Sequence, residues 1–248
     1  MSGHNKWSSI KHRKGAQDAK RGKIFTKIIK EITVSARMGG GDANANARLR
    51  RALDEARIAN MPAENVSRAI KKGTGELEGV HYEELVYEGV GPSGVLVVCE
   101  VMTDNRNRTA AELRKLFDKH SGHLGAAGSA LWAFDAKGLI SLAQEAATEE
   151  QLFEVAVGAG AEDVQSDGEH WSILTPVENL EAVREALTRA KIEIGSALLA
   201  KLPKTPKTLS GADAATGMSL VEALEDHDDV QKVYTDFEPS AEALAQLS

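Results

Sequence analysis

Residues 130–202 read ALWAFDAKGLISLAQEAATEEQLFEVAVGAGAEDVQSDGEHWSILTPVENLEAVREALTRAKIEIGSALLAKL, and the order of elements in this stretch decides the fold. Alternating apolar residues over 129–142 predict a hairpin that turns at Asp135, Ala136, Lys137 and Gly138. Thr148 with Gln151 is a capping pair opening a helix that runs to about residue 158. Short strands fit 162–167 and 170–175, joined by the turn pair Asp167-Gly168. Thr175, Pro176 and Glu178 open a second helix to about residue 190, and a strand follows at 192–201. The order is β-α-β-β-α-β, the ferredoxin-like pattern.

The flanks are incomplete alone. Before this unit come two strands, 82–90 and 95–102, turning at Gly91, Pro92, Ser93 and Gly94. A helix at 108–120 follows, with Thr109 and Glu112 as its capping box. After the unit, a linker from Pro203 to Thr208 leads to a helix at 213–226 and a strand at 230–237. The two flanks complete one sheet if the ferredoxin-like unit is inserted between them.

Further upstream, Ile24, Phe25, Ile28, Ile29 and Ile32 recur at helical spacing, and Gly39, Gly40 and Gly41 end that helix. A second helix fits 46–59. A third opens at Pro62, and Gly73 is expected to cap it. The fold class is therefore α+β multidomain: an N-terminal three-helix basic domain followed by two α/β domains, the last ferredoxin-like and inserted into the middle one. The expected boundaries are a basic flexible arm 1–22, a helical domain 23–77, a middle domain 78–129 plus 207–239, the insert 130–206 and a tail 240–248.

Charge is divided along the chain. Residues 1–72 hold 17 Lys and Arg against 6 Asp and Glu, a net +11, while residues 73–248 come to −18. Such asymmetry points either to a polyanionic partner or to a basic arm folded on the acidic domains of its own chain. The basic residues have positional order. Lys6, Lys11, Arg13, Lys14, Lys20 and Arg21 lie in a segment too poor in apolar residues to bury a core. Trp7 in that arm either stacks on a base or anchors the arm to the first helix. Lys20, Lys23, Lys27 and Lys30 form a row at helical spacing, away from the isoleucine stripe. Like charges so arranged cost helix stability, and a phosphate backbone supplies a reason for them. Asp104-Asn105-Arg106-Asn107-Arg108-Thr109 joins a strand to a helix N-terminus. Two arginines there either share that positive end with a bound phosphate or pair with Glu88 or Glu100.

Enzyme signatures are poor, and no catalytic residue, cofactor, metal ligand or small-molecule substrate is expected. The stretch from Gly15 to Lys23 lacks the spacing, the hydroxyl residue and the preceding strand of a phosphate loop. Gly158-Ala159-Gly160 follows a helix, and there is no Gly-x-Ser-x-Gly elbow. Cys99 is the one cysteine and lies in an apolar strand, where a thiol is inert. His120 and His123 are a weak metal signal, and Glu83, Glu84, Glu88 and Glu100 read as sheet surface. The longest aliphatic run, Val95 to Cys99, is far short of a membrane span, and no apolar leader follows the polar start, so a cytoplasmic protein with no membrane partner is expected. Aliphatics occupy Leu139 and Ile140 where an RNA-recognition module carries stacking rings, and no helix-turn-helix is evident.

Several of these motifs are familiar together. Gly3-His4-Asn5-Lys6-Trp7, Lys11-His12-Arg13-Lys14, the run from Asp18 to Lys27 and Gly39-Gly40-Gly41-Asp42 resemble the YebC/PmpR family. So do Tyr87-Glu88-Gly89, Gly91-Pro92-Ser93-Gly94, Asp104 to Thr109 and Gly158 to Asp163. The resemblance spans essentially the whole chain. It implies a helical N-terminal domain and two α/β domains, and a partner that is DNA or ribosomal RNA. Family members carry the label of transcriptional regulators, and some are reported to bind promoter DNA. The family also includes the mitochondrial translational activator of cytochrome c oxidase subunit I, and bacterial members are linked to relief of ribosome stalling at proline-rich stretches. His12 joins the expected nucleic-acid-binding set through this resemblance. A long basic arm and separated domains suit structured RNA, whereas the family label favours DNA.

Overall fold

The computed structural model describes residues 17–240, with side chains from Arg21 onward. Its order is α1 (Gln17–Gly39), α2 (Ala47–Ile58), α3 (Ala63–Thr74), β1 (Glu83–Val90), β2 (Leu96–Thr103), α4 (Arg106–Lys119) and β3 (His123–Leu124). There follow β4 (Phe134–Ala143), α5 (Glu149–Leu152), β5 (Asp163–Ser166), β6 (His170–Thr175), α6 (Leu180–Arg189) and β7 (Ser196–Pro203). The chain then forms β8 (Lys207–Leu209), α7 (Gly211–Glu225), β9 (Val230–Thr235) and β10 (Phe237–Pro239). Two compact units result. One is the stretch 132–206; the other joins 17–131 to 207–240.

In the larger unit, helices α1 to α3 close over Ile28, Ile32, Leu49, Ala52, Ala56 and Ala69. Helix α1 begins at Gln17, ahead of the boundary expected at 23. Gly73 is not the cap of α3: a Cβ there would stand 2.4 Å from the Thr33 carbonyl oxygen, so the glycine lets α3 and α1 touch backbone to backbone. The cap is Gly75, at φ +85°. Strands β3-β1-β2-β9 form an antiparallel sheet. Cys99, Val101, Leu113, Phe117, Leu220, Leu224 and Val233 fill one core between that sheet and helices α4 and α7. Burial pushes the Cys99 thiol up to about 12. Thr109 does not cap α4; Asn105 does, its side chain accepting from the Arg108 N–H at 3.1 Å, which leaves Thr109 buried. The expected linker contains β8, which pairs in parallel with β10, so β9 and β10 are separate strands.

The stretch 132–206 is ferredoxin-like, with strand order β5-β6-β4-β7. The expected hairpin over 129–142 is instead the single strand β4, paired from Phe134↔Pro203 to Ser141↔Ser196 with β7. Gly138 is no turn residue: a Cβ there would meet Thr175 Oγ1 at 2.2 Å and the Leu180 Cβ at 2.9 Å, so the glycine admits α6 against the sheet. The Thr148–Gln151 capping box forms as expected. Beyond it the helix widens into a π turn over Phe153–Val157. Thr175 caps nothing, since its hydroxyl donates to the Pro176 carbonyl, and a 3₁₀ turn over Val177–Asn179 leads into α6.

Candidate nucleic-acid interface

The lysine row on α1 faces the end of another helix. Lys23 Nζ donates to the Asp226 carbonyl and to its carboxylate, both at 3.0 Å. Lys27 Nζ donates to the Glu225 carbonyl at 2.5 Å, and Lys30 Nζ to the Asp228 carbonyl at 2.9 Å. Lys30 also donates to the Met102 carbonyl at 3.2 Å and lies 2.7 Å from Asp229 Oδ1. Helix α7 ends at Glu225, and the last carbonyls of a helix are unpaired and partly negative. The anion that explains the spacing of Lys23, Lys27 and Lys30 in this arrangement is therefore the C-terminal end of α7 and the loop beyond it. Lys23 keeps a 41% exposed side chain, but those of Lys30 and Asp229 are only 8% and 6% exposed.

Asp229 gathers more donors. Its Oδ2 accepts from Thr109 Oγ1 at 2.7 Å, Arg108 Nη2 at 2.9 Å and Thr103 Oγ1 at 3.1 Å. Burial opposes its ionisation, but hydrogen bonds from Lys30, Thr109 and Arg108 outweigh burial and hold the carboxyl well below the usual range. Arg108 also pairs with Asp104 at 2.9 Å. The partners expected for the arginine loop, Glu88 and Glu100, are not the ones used. Glu88 is buried and accepts from the backbone N–H of Gly128, Ala130 and Leu131, each at 2.6 Å. Glu100 accepts from Tyr234 Oη at 3.3 Å. Arg106 is exposed and has no ion-pair partner among the described residues.

Glu112, His227 and Asp229 bring potential metal ligands within 4.8 Å of one another. Both His227 nitrogens are engaged: Nε2 lies 3.0 Å from Glu112, and Nδ1 accepts from the Asp229 N–H at 3.1 Å. Lys30 and Arg108 already supply positive charge at Asp229, which leaves a cation little to gain there.

Lys6, Trp7, Lys11, His12, Arg13 and Lys14 lie outside the described residues, as does the side chain of Lys20. Arg21 is exposed, its guanidinium 5.7 Å from the centre of the Phe25 ring. Arg48, expected to face outward from the second helix with Arg50, Arg51 and Arg57, instead bridges Glu31 at 2.7 Å and Glu84 at 2.6 Å. Sequence reading passed over Arg37, which donates to the Val80 carbonyl at 3.1 Å. With the α1 lysines, these join the helical part of the larger unit to its sheet. Their partners are distant in sequence, so local spacing held no signal for them.

Comparison with known proteins places this architecture. The description "TACO1/YebC protein N-terminal domain" matches residues 5–76, and "TACO1/YebC second and third domain" matches residues 82–237. The chain belongs to the TACO1/YebC family. It is 54% identical, over 100% of both chains, to "Probable transcriptional regulatory protein GSU1074" of Geobacter sulfurreducens. It is 52% identical, again over 100% of both, to a "Probable transcriptional regulatory protein" of Persephonella marina. The crystal structure of a conserved hypothetical protein, Aq1575, from Aquifex aeolicus superposes with a TM-score of 0.84 at 45% identity, covering 92% of this chain and 95% of that one. Among the described residues, no helix is long and apolar enough to cross a membrane.

Proposed function

We propose that this protein is a nucleic-acid-binding regulator of gene expression acting in the cytoplasm. The observation that carries the reading is the partition of charge, +11 over residues 1–72 against −18 over the rest. The family and the printed names of its relatives support the regulatory part. The contact set begins with Lys6, Trp7, Lys11, His12, Arg13 and Lys14, continues through Lys20 and Arg21, and adds the exposed Arg106 at the start of α4. Lys23 and Lys27 border it. Lys30 and Arg108 serve it indirectly, by holding α4 and α7 against α1.

We take DNA as the primary target, a reading supported by relatives whose printed names are those of transcriptional regulatory proteins. A second reading is a ribosome-associated factor that binds ribosomal RNA and relieves stalling at proline-rich sequences. The −18 of residues 73–248 favours it, because those residues repel a bare duplex but suit a particle that also presents basic protein. The test is binding to duplex DNA and to ribosomes across a salt gradient, with the full chain and with a chain lacking residues 1–16. That deletion removes four Lys and Arg, so the salt slope on duplex should fall by ~3–4. An unchanged slope removes the arm from the interface, and binding to neither target overturns the reading.

A further inference from the structure

The helical side of the inserted domain has both unmet charge and unmet apolar surface. Residues 138–183 contain ten Asp and Glu and no Lys or Arg. Glu162 and Glu181 pair with Lys137 and Arg184 outside the stretch, and Asp163 and Asp167 lie on β5 and its turn, whereas Glu149, Glu150 and Glu154 are carried by α5 and the π turn. Within that stretch Phe153, Val157 and Val177 are 46%, 42% and 40% exposed. The domain does not need them for its core, because Leu152, Ala156, Leu180, Val183 and Leu187 already close it. Phe153 and Val157 bound the π turn, an irregularity that recurs at functional positions in helices. An open depression beside Phe153 is walled by Thr148, Glu149 and Glu150. Glu149, Glu150, Glu154 and Glu178 are exposed and have no ion-pair partner among the described residues.

We propose that this face, centred on Phe153 and Val157, docks a cationic amphipathic segment of a protein partner. An apolar side chain of that segment enters beside Phe153, and flanking Lys or Arg residues meet Glu149, Glu150 and Glu154. Aromatic anchors in a rim of complementary charge are the usual economy of such interfaces: the ring supplies affinity, the rim orientation and encounter rate. Nucleic acid, an anionic membrane and a second copy of the same face would all bring negative charge to negative charge. The proposal goes beyond nucleic-acid binding and does not depend on it.

The experiment uses the full chain and two labelled synthetic peptides of eighteen residues. One carries leucine and lysine in helical register; the other carries the same lysines with serine in place of leucine. Fluorescence anisotropy should show 1:1 binding of the leucine–lysine peptide, at least ten-fold tighter than the serine–lysine peptide. Phe153→Ser with Val157→Ser should weaken the first at least ten-fold, as should Glu149→Gln with Glu150→Gln and Glu154→Gln, while Phe153→Leu retains most of it. Circular dichroism on the same samples separates loss of the face from loss of the fold. Equal binding of the two peptides, or binding indifferent to Phe153 and Val157, overturns the proposal. So does duplex DNA or RNA binding that falls with the Phe153 and Val157 variant while peptide binding does not.

Discussion

Two helical faces of this molecule each carry one sign of charge, and they resolve it in opposite ways. On α1, the lysines at 23, 27 and 30 are met by carbonyls and carboxylates of the α7 terminus, about 200 residues away in sequence. On the inserted domain, the carboxylates around Phe153 are met by nothing among the described residues. In sequence each is a local cluster of one sign of charge, the lysines spaced along a helix and the glutamates grouped around the first turns of another. The difference teaches that such a run announces a counter-charge without saying whose it is. When the counter-charge lies in the same chain, the row is architecture; when it does not, the row is an invitation.

The comparison can be broken most decisively at Lys30. Lys30→Ala leaves the buried Asp229 carboxylate with Arg108 as its remaining cation and removes the donor to Oδ1, and losing a charged partner of a hydrogen bond costs about 1.5–3 kcal/mol. Urea denaturation should show that loss, and a loss below about 1 kcal/mol would mean that the α1 row is not architecture. Acid sharpens the contrast at a smaller scale. Asp229 and Glu88 are both held below the ordinary carboxylate range, so the unfolded chain takes up their protons first. Their stabilisation is complete above about pH 5 and is lost as pH falls through the ordinary range towards their folded values. Glu55 and Asp236, pushed up by burial, act in the opposite sense and gain on acidification. The Asp229 shift is the largest of the four, so stability measured from pH 7 to pH 3 should fall, and Asp229→Asn should flatten part of that slope. The smallest effect is expected on the other face. Glu149→Gln with Glu150→Gln should change stability by no more than about 1 kcal/mol, because these exposed carboxylates pair with no cation among the described residues and only favour the N-terminal turn of α5. A larger destabilisation would mean that these carboxylates, too, are architecture.

Local chemistry made much of the fold legible. The Thr148–Gln151 box, strand β6 at 170–175 and the stripe of Phe25, Ile28, Ile29 and Ile32 on α1 follow from side-chain period and capping alone, although Ile24, expected in the same stripe, is exposed. Misreadings arose where one residue type serves two purposes. Gly138 follows Asp135-Ala136-Lys137 and imitates a turn, yet its function is to let Leu180 approach the strand. Thr109 precedes Glu112 by three and imitates a cap, yet its hydroxyl is committed to Asp229. Both commitments depend on neighbours brought together only by tertiary folding. The candidate site was legible as charge and illegible as contact, since the partners of Lys30 and Arg108 include a residue beyond the insert.

The insert's two ends close on each other. Phe134 pairs with Pro203, and the Lys204 N–H donates to the Ala133 carbonyl at 2.9 Å. For the rest of the chain, the stretch 132–206 is topologically a long loop between β2 and its partner β9. The entropy of closing a flexible loop grows with the logarithm of its length, about 0.6 kcal/mol for each doubling. Once folded, the insert no longer behaves as a flexible loop, because its entry and exit are already side by side. The order of events during synthesis favours this: β4 to β7 are complete before β9 exists, so strand β9 finds β2 as though the insert were absent from the connection, which then consists of α4, β3, β8, α7 and their turns.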